Sequence, residues 1–391
     1  MWKVDRTISI VQCTITTQQQ AMVSALRKAE GFQRFAVSVQ YHGSSFWGFS
    51  YQGSVIEEDC SLGRSVEGRI REALNSIFGR KGWDNIEPSS RTDRGVHAIK
   101  NTFHVDVRTR HHRCTLVTNN NINNNFLLEQ DKELRQIIRK LRRGLNFYLH
   151  RSQNRQHRKS SIMNEIRILN AVKAPEYLNN PYASTYEGQG QPYQVDWGAR
   201  FSATERTYVY RLLCTPFNDG ADPFEWDRSW CIRQVNHNKS NHDTNEVLDI
   251  DGMRSAAVHL QGVHDFSTFR AAHCQRHSPI VNMKSIQIHS QPYGSLLNWN
   301  HADPTVPLPR QQQLPDKCDT AKLVLISFTG NSFLYKQVRN LVGCLVQVGR
   351  RLLPSEDIPD LLKTKNRSLA PDTAPPHGLF LVDVQHGDFK F

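Results

Sequence analysis

The chain has 391 residues, 38% of them hydrophobic, with 22 glycines and 17 prolines. That length predicts two or three packed domains, and the composition excludes a fibrous or wholly disordered protein. The net charge of +12 points to a polyanionic partner, nucleic acid first, because Lys and Arg release condensed counterions on meeting phosphates. No apolar run approaches the ~18 residues that a membrane helix needs. The eight cysteines (Cys13, Cys60, Cys114, Cys214, Cys231, Cys274, Cys318 and Cys344) include no Cys-x-x-Cys pair. That excludes a zinc knuckle and a redox dithiol and, with no secretory leader expected, fits free thiols in a reducing compartment.

Residues 1–32 read as an N-terminal extension. Lys3, Arg6, Arg27 and Lys28 face only Asp5 and Glu30, among many Ser, Thr and Gln. This composition fits an organelle-targeting segment, although Val23, Leu26 and the basic pair fit the start of an ordinary helix equally well.

A first α+β domain is expected over 33–205. Phe35, Val37, Val39 and Tyr41 alternate up to Gly43, which predicts a strand running into a loop. Ser65 is placed as the N-cap of a helix with Val66, Ile70, Ala73, Leu74 and Ile77 on one face. The run Ser89-Ser90-Arg91-Thr92-Asp93-Arg94-Gly95-Val96-His97-Ala98 follows. It sets one carboxylate between arginines and a glycine turn. A strand with Phe103, Val105 and Val107 alternating with His104 and Asp106 comes next. A carboxylate on a sharp loop beside fixed positive charge can be held ionised, as a nucleophile requires. Asp-x-Gly is equally an ordinary turn signature, so the run does not decide the matter alone.

Residues 108–194 read as an insertion. Asn119 to Asn125 form a low-complexity tract. The stretch 135–159 carries Arg135, Arg139, Lys140, Arg142, Arg143, Arg151, Arg155, Arg158 and Lys159 without an acid. Leu134, Ile137, Ile138 and Leu141 make its first part an amphipathic helix. Its charge suits either a phosphate-contacting surface or a solvated face. Gly188 and Gly190 lack the third glycine of a dinucleotide fingerprint.

A second α+β domain is expected over 206–391, with an insertion at 290–318. Tyr208, Tyr210 and Leu212 predict a strand, as do Leu323 to Phe328 and Leu379 to Val384. Leu334, Val338, Leu341, Leu345 and Val348 predict a helix over 333–348, with Arg339 on its polar face beside Lys336 and Gly343. Strands and helices without strict alternation predict an α+β protein with a mainly antiparallel sheet flanked by helices.

Four segments taken together are far more specific: the Asp93 run; Arg200 to Arg211, with Arg206, Tyr208 and Tyr210; Gly262 to Arg270, with His264-Asp265; and Phe333 to Gly343, followed by Pro375 to Val384. In this order they resemble the TruA family of tRNA pseudouridine synthases. The usual family run Arg-Thr-Asp-Ala-Gly-Val-His-Ala is matched at seven of its eight positions, with Arg94 in place of alanine. The resemblance covers roughly 33–107 and 196–386. Ser89-Ser90 and the His-Gly-Leu-Phe-Leu ending look most like an animal branch associated with mitochondria, so a mitochondrial site is favoured over a cytoplasmic or nuclear one.

The resemblance implies a two-domain fold with a shared sheet, a basic cleft between the domains, a homodimer and tRNA as the partner. It implies that a uridine becomes pseudouridine, with the anticodon stem-loop favoured as the place. Substrate and product are isomers, so the reaction calls for no cofactor and no metal. Asp93 matches the family's catalytic aspartate; whether it bonds to the sugar or stabilises an elimination intermediate stays open. Tyr208 matches the active-site tyrosine, able to stack on a base and to handle a proton. Arg339 matches the arginine paired with the aspartate, where a bidentate guanidinium would keep Asp93 ionised. Arg91, Arg94, His97, Arg206, His264 and Lys336 are expected to contact RNA. His97 and His264 have no triad partner and are read as structural or RNA-contacting rather than catalytic, and His259 and His264 stand five apart, the wrong spacing for a zinc pair. The competing readings are a non-catalytic RNA-binding protein with the same fold and a glycoside hydrolase, which normally needs two flanking carboxylates.

Overall fold

The computed structural model describes residues 30–51, 65–109, 124–156, 165–176, 197–215, 223–233, 248–293 and 321–391. The targeting-like segment, Gly188 and Gly190, most of the asparagine tract, Arg158, Lys159 and most of 290–318 lie outside the described residues. So do Cys13, Cys60, Cys114 and Cys318 and the side chains of Arg151 and Arg155. The chain divides into two compact units. One comprises residues 1–92, 98–204 and 384–391, the other residues 93–97 and 205–383.

The first unit is built on β1 (Phe32–Tyr41), α1 (Val66–Phe78), β2 (Trp83–Pro88), β3 (His97–Arg108), α2 (Asn124–Arg139), α3 (Leu145–Gln156) and β4 (Ile166–Lys173). β1 is central. It pairs antiparallel with β3, Val37 opposite Phe103, and with β4, Val37 opposite Ala171. β2 pairs antiparallel with β3. The Ser65 hydroxyl accepts from the Gly68 N–H at 3.0 Å and caps α1, a contact worth about 1 kcal/mol. A π turn over Lys140–Gly144 joins α2 to α3, and Ile137, Leu141, Leu145 and Leu149 keep a buried stripe running across it. Asn146 clasps β4, donating to the Ile168 carbonyl at 3.0 Å and accepting from its N–H at 2.8 Å. The 108–194 span thus contributes packed structure as well as inserted chain.

β3 departs from the half-buried strand predicted by its alternation, because both its faces are buried. The polar face is satisfied internally. Arg34 donates to the Asp106 carboxylate from Nε at 2.7 Å and from Nη2 at 2.9 Å. His104 Nδ1 accepts from the Ala199 N–H at 3.1 Å, and Thr102 Oγ1 shares a hydrogen with His386 Nε2 at 2.8 Å. Trp197 packs there with Ala36, Ala174 and Ala199, joined by Val172, Phe389 and Phe391.

The second unit contains β5 (Glu205–Thr215), β6 (Trp230–Arg233), α4 (Ile250–His259), β7 (Gly262–Asp265), β8 (Ile280–Pro292), β9 (Lys322–Gly330), α5 (Gln337–Gly349), α6 (Ile358–Thr364) and β10 (Leu379–Gln385). β5 and β9 pair antiparallel, Tyr208 opposite Phe328; β9 pairs with β8, and β8 with β7, in the same sense. β6, parallel to β5, and β10 both lie along the edge of β5 opposite β9. The fold is mixed α+β with a large, mostly antiparallel sheet, as the sequence predicted.

α5 starts at Gln337 rather than at residue 333. Lys336 takes a left-handed φ of 57°, and the Leu334 N–H donates to Gln337 Oε1 at 2.8 Å, so residues 333–336 form a turn. Nor is α5 an amphipathic surface helix. Asn340 and Gly343, on its polar side, are as buried as Leu341 and Leu345. Gly349 lets it approach α4, since a Cβ there would lie 2.7 Å from the Met253 sulfur.

Candidate active site

Asp93 opens a tight turn closed by the Val96 N–H, which donates to the Asp93 carbonyl at 3.1 Å. Gly95 sits in this turn at φ 80°, where a side chain is strained, and a Cβ there would meet the Pro376 ring at 3.0 Å. Glycine is therefore required twice over. Arg94, the residue that replaces alanine in the motif, is exposed.

Arg339 is delivered to Asp93 by the first turn of α5. Its Nη1 donates to Asp93 Oδ2 at 3.2 Å, and its Nε donates to the Ala374 carbonyl at 2.8 Å. The two side chains are 11% and 16% exposed respectively. The fork is therefore divided between a carboxylate and a carbonyl, and the expected bidentate pair is corrected to a single contact. This has an electrostatic consequence. Burial pushes the Asp93 carboxyl above its ordinary range, and the Arg339 and Lys336 cations recover only part of that shift. An ion pair and a raised pKa are compatible because one contact of 3.2 Å does not replace the water that the carboxylate has lost. Among the described residues, Asp93 Oδ1 receives no hydrogen bond.

Tyr208 and Tyr210 lie two apart on β5 and share its buried face. Tyr208 packs edge-on against Phe333, ring centroids 5.1 Å apart. The Tyr210 hydroxyl donates to the Pro375 carbonyl at 2.7 Å, and burial holds it protonated despite the nearby Arg339 charge. The sequence reading gave Tyr210 no role, and the strand period was the signal that puts it on the same face. His377 was also missed. Burial, helped by the Arg339 charge, pushes its imidazole below the ordinary range, against the opposing pull of Asp227 and a hydrogen bond with the Ser229 backbone.

The other expected site residues are placed as follows. Lys336 sits beside Asp93 electrostatically, with Nζ 5.2 Å from the centre of the exposed Tyr335 ring. Arg206 is buried, and its Nη1 donates to the Asn331 carbonyl at 2.7 Å. His264 is half-buried, with Nε2 2.6 Å from the Gln261 carbonyl. Arg91 is exposed and belongs to the first unit. Of the two roles expected for His97, an RNA contact and a structural one, its burial favours the structural. His97 is 1% exposed, stacks on Phe380 at 4.5 Å, and its Nε2 lies 3.0 Å from the Asp227 carbonyl. It anchors the far end of the Asp93 turn. Among the described residues, no group of three His, Cys, Asp or Glu side chains is arranged to hold a metal ion.

A family profile described as tRNA pseudouridine synthase matches residues 256–386, which include α5, Arg339 and the Pro375 to Val384 segment. Proteins called tRNA pseudouridine synthase A resemble nearly the whole chain. The one from Gluconobacter oxydans is 28% identical over 96% of this chain and 98% of its own length. Those from Ehrlichia canis and Caulobacter vibrioides are 27% and 28% identical, over 90% and 91% of this chain and 100% and 99% of their own lengths. The chain is thus similar to tRNA pseudouridine synthase A proteins over nearly its whole length. Its mixed α+β architecture is consistent with the pseudouridine synthase fold. The Asp93 turn lies outside the span of the family profile, but the likeness to the Gluconobacter oxydans protein extends over the N-terminal half as well.

Proposed function

We propose that this protein is a tRNA pseudouridine synthase of the TruA family, an isomerase that converts a uridine of the anticodon stem-loop, with Asp93 as its catalytic carboxylate. One observation carries the residue assignment: Asp93 is partly buried and held by Arg339 through Oδ2 alone, which leaves Oδ1 for the sugar. In the reaction the N1–C1′ bond breaks and uracil leaves with the bonding pair. The base turns, C5 bonds to C1′, and the C5 proton is lost while N1 regains one. The ionised carboxylate offsets positive charge developing at C1′. Arg339 orients it, and Tyr208 stacks on the base and relays the C5 proton. The uridine must leave its stack to reach a carboxylate this shielded, which costs a few kcal/mol and favours loops and loop-adjacent pairs.

The same reading carries a homodimer, tested by light scattering with and without tRNA, and a mitochondrial location, tested by fractionation of cells carrying the tagged protein. The decisive experiment maps pseudouridine in total RNA with and without this protein. A loss confined to anticodon stem-loop positions of particular tRNAs is expected. An unchanged map would overturn the assignment.

A further inference from the structure

The segment 370–376 touches three parts of the site, although no motif singles out its first half. The Ala374 carbonyl accepts from Arg339 Nε at 2.8 Å, and the Ala374 N–H donates back to the Arg339 carbonyl at 3.1 Å. The Pro375 carbonyl accepts from the Tyr210 hydroxyl at 2.7 Å. The Pro376 ring lies against Gly95, in the turn that presents Asp93.

What fixes the segment is a buried polar cluster. Asn340, one residue beyond Arg339 on α5 and fully buried, accepts at Oδ1 from the Thr373 hydroxyl at 2.6 Å and from Arg367 Nη2 at 3.2 Å. Arg367 Nη2 also donates to Thr373 Oγ1 at 3.2 Å, and Nη1 to the Ala370 carbonyl at 2.9 Å. Asn340 Nδ2 donates to the Phe269 carbonyl at 2.8 Å. Gly343, one turn further along α5, makes room for the segment: a Cβ there would lie 2.0 Å from the Asp372 carbonyl oxygen. Asn340 Oδ1 thus holds this loop in register with the helix, while Nδ2 ties the same side chain to the 267–269 turn.

We propose that segment 370–376 is the template that aligns the Asp93–Arg339 pair, and that Asn340, Thr373 and Arg367 are its positioning residues. None of the three touches the reacting atoms. They set where the Ala374 carbonyl stands, that carbonyl sets the rotation of the guanidinium, and the guanidinium sets the carboxylate. The inference rests on the role proposed above for Asp93.

Thr373→Val keeps the shape and deletes the hydroxyl. Its kcat should fall on the order of tenfold or more, as small misplacements of catalytic groups do, with KM nearly unchanged. The Asp93 carboxyl, followed by carbon NMR, should titrate at higher pH than in wild type, because a misaligned Arg339 compensates burial less. Thr373→Ser restores the hydroxyl and should restore both readings. Arg367→Met leaves the Thr373–Asn340 bond and should move both in the same direction by less, which keeps the test open should Thr373→Val fold poorly. Wild-type turnover in Thr373→Val, an unmoved Asp93 titration, or no recovery in Thr373→Ser would each overturn the proposal. A wild-type protein that forms no pseudouridine would instead sink the reaction assignment, and the NMR titration would still judge the template.

Discussion

Asp93 and Asp106 stand close in sequence, and each meets an arginine, yet the two pairs are built for opposite ends. Arg34 grips both oxygens of Asp106 at 2.7 and 2.9 Å, inside the first unit. Arg339 touches one oxygen of Asp93 at 3.2 Å and gives its Nε to a backbone carbonyl. A pair that engages both carboxylate oxygens, with Asn85 as a further donor to Asp106, fixes structure. An under-satisfied one is costlier to bury, in keeping with an Asp93 carboxyl pushed above its ordinary range, and it leaves Oδ1 without a hydrogen bond among the described residues. The difference lies in geometry, since the residue types are the same.

Substituting each aspartate in turn is the sharpest way to break this comparison. Asp93→Asn should abolish tritium release from uridine-labelled tRNA while tRNA binding stays close to wild type, since asparagine keeps the shape and loses the anion. Asp106→Asn should do the reverse. It removes the charge opposite a part-buried arginine and should cost about 3 kcal/mol of stability, while turnover per folded molecule holds. Activity of Asp93→Asn within tenfold of wild type would remove the catalytic half of the contrast.

Arg339→Ala comes next in size. Turnover should fall ~100-fold with a smaller loss in binding. The pH profile adds a sign. Activity requires the carboxylate, burial raises its pKa, and Arg339 lowers it, so the acid limb should lie above the usual Asp range near 3.9 in wild type and move further up in the variant. A downward shift would mean that Arg339 does not act on Asp93.

Tyr208→Phe probes a smaller term. Stacking survives and the hydroxyl goes, so kcat should drop on the order of tenfold to hundredfold with affinity nearly constant if proton relay is its work. Unchanged turnover would leave Tyr208 a stacking platform, packed as now against Phe333.

Much of this was readable before any coordinates. Periods of two and of 3.6 placed β1, α1, β5, β9 and β10, because one-sided burial leaves a trace in sequence. The motifs named both members of the Asp93–Arg339 pair. What stayed hidden shares one cause: polar residues whose partners are distant in sequence. His104 and Asp106 looked solvent-facing and are buried against Ala199 and Arg34. Asn340, which no motif singles out, is the hub of a buried cluster. His97 could be read as structural or as an RNA contact, and it is stacked on Phe380. Alternation tells which side of an element is polar, and cannot tell whether water or another part of the chain satisfies it. Nor can a motif say that a guanidinium will be shared between Asp93 and Ala374.

The smallest expected effect concerns the basic face of α2, the π turn and α3, which sharpens the comparison by standing outside the catalytic unit. Arg139, Lys140, Arg142 and Arg143 are exposed around the turn, while Ile137, Leu141 and Leu145 hold the element to its unit. No acid occurs from Arg135 to Lys159, so the cations have no neighbour in the stretch to neutralise them. Phosphate recognition carries no base identity, so replacing these four by Gln should weaken binding to every tRNA alike. The log–log salt dependence of binding should flatten by up to about one unit for each phosphate that the variant no longer neutralises. At saturating tRNA the turnover set by Asp93 and Arg339 should be unaltered, because none of the four residues belongs to the unit that carries that pair. Filter binding of two unrelated tRNAs across a salt series reads both quantities. Affinity and slope equal to wild type would make this a solvated helix face, and the charge surplus would then have to act through other residues.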